Sequence, residues 1–247
     1  LSMLAEGWAD HTKEVWLPIN QLGDREGLKF NEGRISMPPE FRSAYNSSRE
    51  GGWLSTACKP EHGGMGVPVF FQAVTWAEIG TSTNMAMSVL PALTLGVYDV
   101  LIEHGEKTLV DYFATHLASG EWSGTMCLTE PHAGTDLGII STKAIPQDDG
   151  TYRVSGTKIF ITYGEHDMTD NIVHLVLAKT PDAPEGTKGI SMFLVPKFLP
   201  SEWESGELVG ISHELCADNN GVSCSGSEEK MGIHASPTCV MNFDDSV

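Results

Sequence analysis

The chain has 247 residues, of which 15 are basic and 33 acidic, for a formal net charge of -18, and 40% are apolar. That length can bury the core of one large domain or two small ones. The acidic balance argues against nucleic acid or an anionic membrane as partner, and no continuous apolar run reaches the ~20 residues of a membrane helix, so no membrane insertion is expected.

The five cysteines are odd in number and form no C-x-x-C, which argues against a disulfide framework or a zinc site and fits a reducing, cytoplasmic location; no metal site is expected. The chain opens on Leu1 without a signal segment, so a trimmed start is expected.

The first half reads as helix. Ser36-Met37-Pro38-Pro39 has the form of a helix start, with Ser as cap and Pro in the first turn, and Phe41, Ala44 and Tyr45 follow on one face. Loop 58–68, CKPEHGGMGVP, interrupts with three glycines and two prolines. Helices are expected from Phe70 to Ile79 and from Met85 to Ile102. Leu109, Tyr112, Phe113, His116 and Leu117 then form one apolar stripe, closed by Gly120 as a C-terminal cap. His116 on that stripe reads as a packed core residue. His11, His62, His104, His166 and His213 stand in polar or loop contexts and read as exposed.

After Gly120 the period falls to two. Residues 122–128 alternate, and 152–162, YRVSGTKIFIT, reads as two strands around Ser155-Gly156. Residues 172–179, 189–195 and 238–243 are further short strands. The fold class is therefore α+β: an N-terminal helical domain, 1–120, followed by an antiparallel β-barrel or sandwich middle domain, 121–247. Residues 201–229 hold seven carboxylates and no Lys or Arg, and read as a solvated insertion between two strands.

Walker, H-E-x-x-H, G-x-S-x-G and G-x-G-x-x-G motifs are absent from the sequence, and no nucleophile–base signature is visible. What stands out is residues 126–138, MCLTEPHAGTDLG. A strand ends at Thr129-Glu130-Pro131, and Ala133-Gly134-Thr135-Asp136 turns sharply. Successive N–H groups there can form an anion-binding nest with the Thr135 hydroxyl beside them. From spacing alone, a capped turn that satisfies its own backbone is the favoured reading.

MCLTEPHAGTDLGIISTKA resembles the signature of the flavin-dependent acyl-CoA dehydrogenases. GTKIFIT (156–162), IVHLVLAKT, GISMFLVPK and EEKMGIHASPTCVMNFDD (228–245) are similar to that family's following strands, and GWLSTACKPEHGGMG to its upstream glycine loop. GIHASPTCVMNF is most similar to the branch that includes 3-methylmercaptopropionyl-CoA dehydrogenases. The resemblance implies FAD as cofactor and oxidation of an acyl-CoA thioester to the 2,3-enoyl-CoA. A carboxylate takes the Cα proton, hydride leaves Cβ for the flavin, and the thioester carbonyl is hydrogen-bonded. It implies that Met126, Leu128 and Thr129 meet the flavin ring. Gly134 and Thr135 would lie at its pyrophosphate and the mouth of the acyl-CoA channel, and Phe160 and Thr162 would flank the ring. Thr135 replaces the family's usual Ser and keeps the hydroxyl; Phe160 replaces its Trp and loses the indole N–H. His132 receives no role, and His234 stands where Arg is common.

The resemblance also implies an electron-transfer flavoprotein as acceptor and a homo-oligomeric full-length enzyme. Its base is a Glu on a C-terminal helical bundle absent from this sequence, so no catalytic residue is assigned here. The chain is expected to be a fragment that is inactive alone. Related acyl-CoA oxidases, nitroalkane oxidases and flavin monooxygenases share the T-E-P loop and form the alternative reading, as does a non-enzymatic scaffold.

Overall fold

The computed structural model describes residues 1–201, 203–204, 207–208 and 215–247, with backbone alone at 74–77, 203–204, 207–208 and 215–218. His213 and part of the acidic insertion lie outside these residues. The chain forms two compact units. One comprises Leu1–Gly124, His166–Asp170 and Glu229–Pro237; the other comprises Thr125–Glu165, Asn171–Glu228 and Thr238–Val247. The expected domain division stood after Gly120.

The first unit is helical. α1 (Ser2–His11) and α2 (Leu17–Glu26) are joined by a π-helical turn, Thr12–Trp16. A hairpin follows, β1 (Lys29–Asn31) and β2 (Arg34–Ser36), turning on Glu32 (φ 47°) and Gly33 (φ 81°). Positive φ at both central residues is the type I′ pattern, whose twist matches that of the paired strands. Ser36 therefore ends a strand and caps nothing; Pro38 is the cap residue of α3 (Pro39–Glu50). Phe41, Ala44 and Tyr45 are buried as their spacing required.

α4 (Val69–Val74), a π-helical turn and α5 (Thr81–His104) follow, with α5 broken at Asn84 (φ -158°). The buried Asn84 accepts from Met87 N at 3.1 Å and donates to Trp16 O at 3.2 Å, so it caps the helix expected from Met85. Within Val69–His104 an 18-residue window has a mean hydropathy of 1.7, so by length and composition alone this helical run could cross a membrane. Half of that window is buried inside the protein, as in a core helix. α6 (Lys107–Ser119) buries Tyr112, Phe113, His116 and Leu117 and ends at Gly120 in the left-handed region. The Gly120 carbonyl accepts from Tyr45 Oη at 2.9 Å. His166 departs from its expected exposure: it is buried, with Nε2 3.0 Å from Ser123 Oγ.

β3 (Trp122–Cys127) begins in the first unit and continues into the second. There β4 (Lys143–Pro146), β5 (Tyr152–Thr162), β6 (Asn171–Ala178) and β7 (Ser191–Pro196) follow. β8 (Phe198–Pro200) pairs with β11 (Leu215–Asn219), and β9 (Trp203–Glu204) with β10 (Glu207–Leu208). β12 (Val222–Ser227) and β13 (Thr238–Ser246) complete the set. One sheet runs β12-β13-β5-β4 and is antiparallel throughout; the other runs β3-β6-β7. A parallel bridge, Lys143 to Lys179, links them. β6 is buried along almost its whole length and is apolar apart from Asn171 and His174, because both its faces are covered.

Two expectations change here. Residues 152–162 form one strand, not two. Gly156 is no turn: a Cβ there would collide with Thr142. The insertion is also shorter than expected, since Val222 and Cys224 are buried on β12, paired to β13.

Candidate functional site

β3 brings its end to the surface. Thr125 and Cys127 are buried, Met126 is 36% exposed, and Leu128 and Thr129 are half-buried. The period-2 alternation puts Met126 and Leu128 on the same side. The chain then reverses in a tight turn. Glu130 N donates to Ala133 O at 2.9 Å and Ala133 N to Glu130 O at 3.0 Å, with Pro131 and His132 at the exposed tip. Pro131 suits the tip because it has no N–H to satisfy. His132 Nε2 lies 3.1 Å from Ile139 O, across the loop.

Gly134, Thr135 and Asp136 are exposed, and their N–H groups have no hydrogen-bond partner among the described residues. Asp136 accepts from Gly138 N at 3.0 Å and caps the short turn Leu137–Ile139. None of Ala133–Asp136 has a positive φ, so the alternating backbone of a nest is not formed and the three amides remain separate donors.

Glu130 holds this turn from below. Its carboxylate is 1% exposed and accepts from Ser141 N (2.7 Å), Ser141 Oγ (2.8 Å), Thr142 N (2.9 Å), Thr142 Oγ1 (2.5 Å) and Lys158 Nζ (2.9 Å). Burial alone would raise its pKa. The hydrogen bonds from Thr142, Ser141 and Lys158 reverse that and hold it at about 2. Lys158, fully buried, also donates to Leu128 O at 3.2 Å.

Next to it, Ile159 N donates to Thr129 O at 2.8 Å. The β5–β13 register slips here: Ile161 pairs with Cys239 and Lys158 with Met241. The extra residue forms a bulge that re-aims its side chain. Phe160 sits in it at φ 60° and is 53% exposed.

Leu128, Thr129, Gly134 and Phe160 are thus gathered at one edge: Thr129 is bonded to Ile159, and its Cγ2 lies 3.6 Å from where a Gly134 Cβ would be. Met126, Thr135 and Thr162 are tied to it by chain connectivity alone, Thr162 pairing with Thr238 on β13. The hydroxyls of Thr129, Thr135 and Thr162 have no hydrogen-bond partner among the described residues. The edge therefore offers neutral donors and an exposed ring, which suits a planar heterocycle or a phosphate held without a cation.

Lys158, Ser141, Thr142 and Gly156 received no role from the sequence. Val154, Gly156 and Lys158 share the inward parity of β5, and a lysine on a core-facing position requires a buried carboxylate partner. That was the available signal.

Residues 125–246 match the model of the acyl-CoA dehydrogenase middle domain. The chain is 45% identical over 233 residues to the 3-methylmercaptopropionyl-CoA dehydrogenase of Ruegeria pomeroyi, covering 94% of this chain and 38% of that protein. It is 39% identical over 242 residues to a butyryl-CoA dehydrogenase of Syntrophomonas wolfei, covering 95% of this chain and 37% of that protein. The chain spans well under half the length of these curated relatives. Among solved structures, butyryl-CoA dehydrogenase from Megasphaera elsdenii aligns with a TM-score of 0.73 at 22% identity, over 100% of this chain and 57% of that one. An acyl-CoA dehydrogenase complexed with FAD from Bacillus anthracis aligns with a TM-score of 0.72 at 24% identity, over 99% of this chain and 35% of that one. At those identities the structures establish the fold. Motif order, the matched model and the two relatives agree, and the chain belongs to the acyl-CoA dehydrogenase family, with residues 125–246 as its middle domain.

Proposed function

We propose that this chain is the flavin-holding part of an FAD-dependent acyl-CoA dehydrogenase that converts an acyl-CoA thioester to the 2,3-enoyl-CoA. The observation that carries the reading is the set of uncommitted neutral donors, Thr129, Thr135, Thr162 and the amides of Gly134–Asp136, on the unit that also presents Phe160. They fit the group: hydroxyls and amides match the polar edge of a flavin ring and its pyrophosphate, and Phe160, Met126 and Leu128 supply apolar surface. Gly134 and Thr135 would hold the pyrophosphate side at the mouth of the acyl channel, and Thr129 and Thr162 the ring.

Bound FAD would supply the acceptor for the hydride leaving Cβ. The residues here bind, orient and exclude water. Glu130 is not the base for Cα: five donors enclose its carboxylate, which stays ionised far below neutral pH. Asp136 commits its Oδ1 to Gly138 N. Neither loop carboxylate is therefore assigned as the base, and the family resemblance supports a Glu outside this site in that role, which would leave this segment inactive alone. The 45% identity to a 3-methylmercaptopropionyl-CoA dehydrogenase supports that branch for the acyl group. The family resemblance supports an electron-transfer flavoprotein as acceptor and a homo-oligomeric full-length enzyme; cysteine usage supports a cytoplasmic location.

The test is flavin retention on gel filtration and flavin bleaching by acyl-CoA under anaerobic conditions, using the protein from its complete reading frame. Wild type retains FAD and is bleached. Thr129→Val and Thr162→Val each weaken FAD binding about tenfold, the worth of one good hydrogen bond. A wild type that retains no flavin overturns the reading. Rapid reoxidation by oxygen, rather than by electron-transfer flavoprotein, would move it to the oxidases of the same fold.

A further inference from the structure

The β-rich unit holds two buried ion pairs with near-identical burial. Lys197 Nζ lies 2.7 Å from Glu165, with side chains 5% and 4% exposed, and Lys158 Nζ lies 2.9 Å from Glu130, with side chains 0% and 1% exposed. Their surroundings differ. Lys158 reaches past its carboxylate to Leu128 O, and the next residue, Ile159, donates to Thr129 O. Glu130 reaches in the other direction to Ser141 and Thr142, at the start of β4. Four segments meet at this one pair: the end of β3, the turn, the entry to β4 and the bulge of β5. The bulge begins directly after Lys158, and Phe160 stands in it.

We propose that Glu130 and Lys158 are positioning residues for the flavin edge: the pair fixes the spacing between Thr129 on one side and Phe160 and Thr162 on the other. This rests on the flavin reading above. Neither residue moves a proton. The carboxylate serves as a five-armed anchor and the ammonium as the strut to Leu128 O. A buried charge pair, not an apolar contact, suits this task, because hydrogen bonds fix direction where packing fixes only distance. Thr142 adds a second condition. It bonds Glu130 and fills the space over Gly156, so the anchor and the strand that carries Phe160 are also matched in shape.

The experiment compares the two pairs in the FAD-loaded protein from its complete reading frame. Glu130→Gln, Lys158→Met and the double variant are set against Glu165→Gln, Lys197→Met and their double. Thr142→Val serves as a milder probe should the single variants fail to fold. Each is measured for unfolding midpoint, FAD dissociation constant and the shape of the flavin absorption band. The proposal expects both pairs to lower the midpoint. It expects the Glu130–Lys158 variants alone to loosen FAD at least tenfold and alter the band. Thr142→Val should loosen it several-fold, and the double should be no worse than the worse single, since the two act as one unit. Equal loss of FAD from both pairs, or unchanged FAD binding and band in the Glu130–Lys158 and Thr142 variants, overturns it. A wild type that takes up no flavin overturns the flavin reading, and this inference with it.

Discussion

His116 lies flat on Trp122, with ring centroids 4.0 Å apart and planes 6° from parallel, while its Nδ1 is 2.9 Å from Glu121. The stripe on α6 makes this possible: Tyr112 and Phe113, four and three residues earlier, close on the same indole with centroids 5.8 and 5.6 Å away. Trp122 is 1% exposed and is where helix gives way to strand. Trp122→Ala is expected to cost about 3–5 kcal/mol. His116→Phe keeps the stack and loses the Glu121 contact, for less than about 1.5 kcal/mol. Urea unfolding of both variants checks the order; a His116→Phe loss as large as that of Trp122→Ala would show the polar contact, not the stack, to be decisive.

Phe160 sets stability against function. At φ 60° a side chain pays backbone strain, and with half its surface exposed the ring returns little of that by burial. Phe160→Gly removes the strain and adds chain entropy to the unfolded state, so stability should change by less than about 1 kcal/mol. FAD binding should weaken about tenfold if the ring faces the flavin. Phe160→Trp should be tolerated at an exposed site. Calorimetry and flavin titration on the same samples decide it: a large loss of stability with unchanged flavin binding would make Phe160 a packing residue.

The helical stripes were legible because their cause is local. Phe41, Ala44 and Tyr45, or Tyr112, Phe113, His116 and Leu117, meet a core at the period of one helix. The β1–β2 hairpin was not, because its residues are exposed apart from Ile35 and its Glu-Gly turn lacks the usual Asn-Gly or Asp-Gly. Gly156 was read as a turn because its true cause, Thr142, stands 14 residues away at the entry to β4. The T-E-P loop and its threonines were visible as a motif. The pair beneath it was not: Glu130 and Lys158 are 28 residues apart, so the inward parity of Lys158 calls for a buried carboxylate without saying which one.

Gly156 offers a direct test of that non-local cause. A methyl group there would approach Thr142 Cβ to 2.8 Å and Cα to 2.9 Å, neither of which can swing away. Gly156→Ala is therefore expected to destabilise by about 1–3 kcal/mol. Because Thr142 bonds Glu130, the shift should also raise amide exchange at residues 129–135 relative to β6. Loss of stability with exchange unchanged in that loop would mean that the anchor and the strand are not coupled.

Acid stability should turn on His174. It is fully buried on β6, with Nδ1 2.7 Å from Thr125 Oγ1, no partner for Nε2 among the described residues, and the Phe243 ring edge-on at 5.7 Å. Burial first, and the charge of Lys197 second, lower its pKa from 6.5 to about 3. The folded protein thus refuses a proton that the unfolded chain accepts below pH 6.5. Stability from this group is complete above that pH and falls as pH drops from 6.5 toward 3, at up to about 1.4 kcal/mol per unit. Glu130 adds to the loss lower down, since its pKa falls from 4.5 to about 2 on folding and its stability is lost between those values. His11 is lowered too, mainly by burial, and acts in the same direction as His174. The urea midpoint should therefore fall steadily between pH 6.5 and 4.5, before most carboxylates titrate. His174→Phe keeps a ring against Phe243 and removes the titrating group, so its midpoint should fall less steeply over that interval. Parallel curves for wild type and variant would show that the buried imidazole is protonated in the folded state, against the geometry that leaves its Nε2 without a partner.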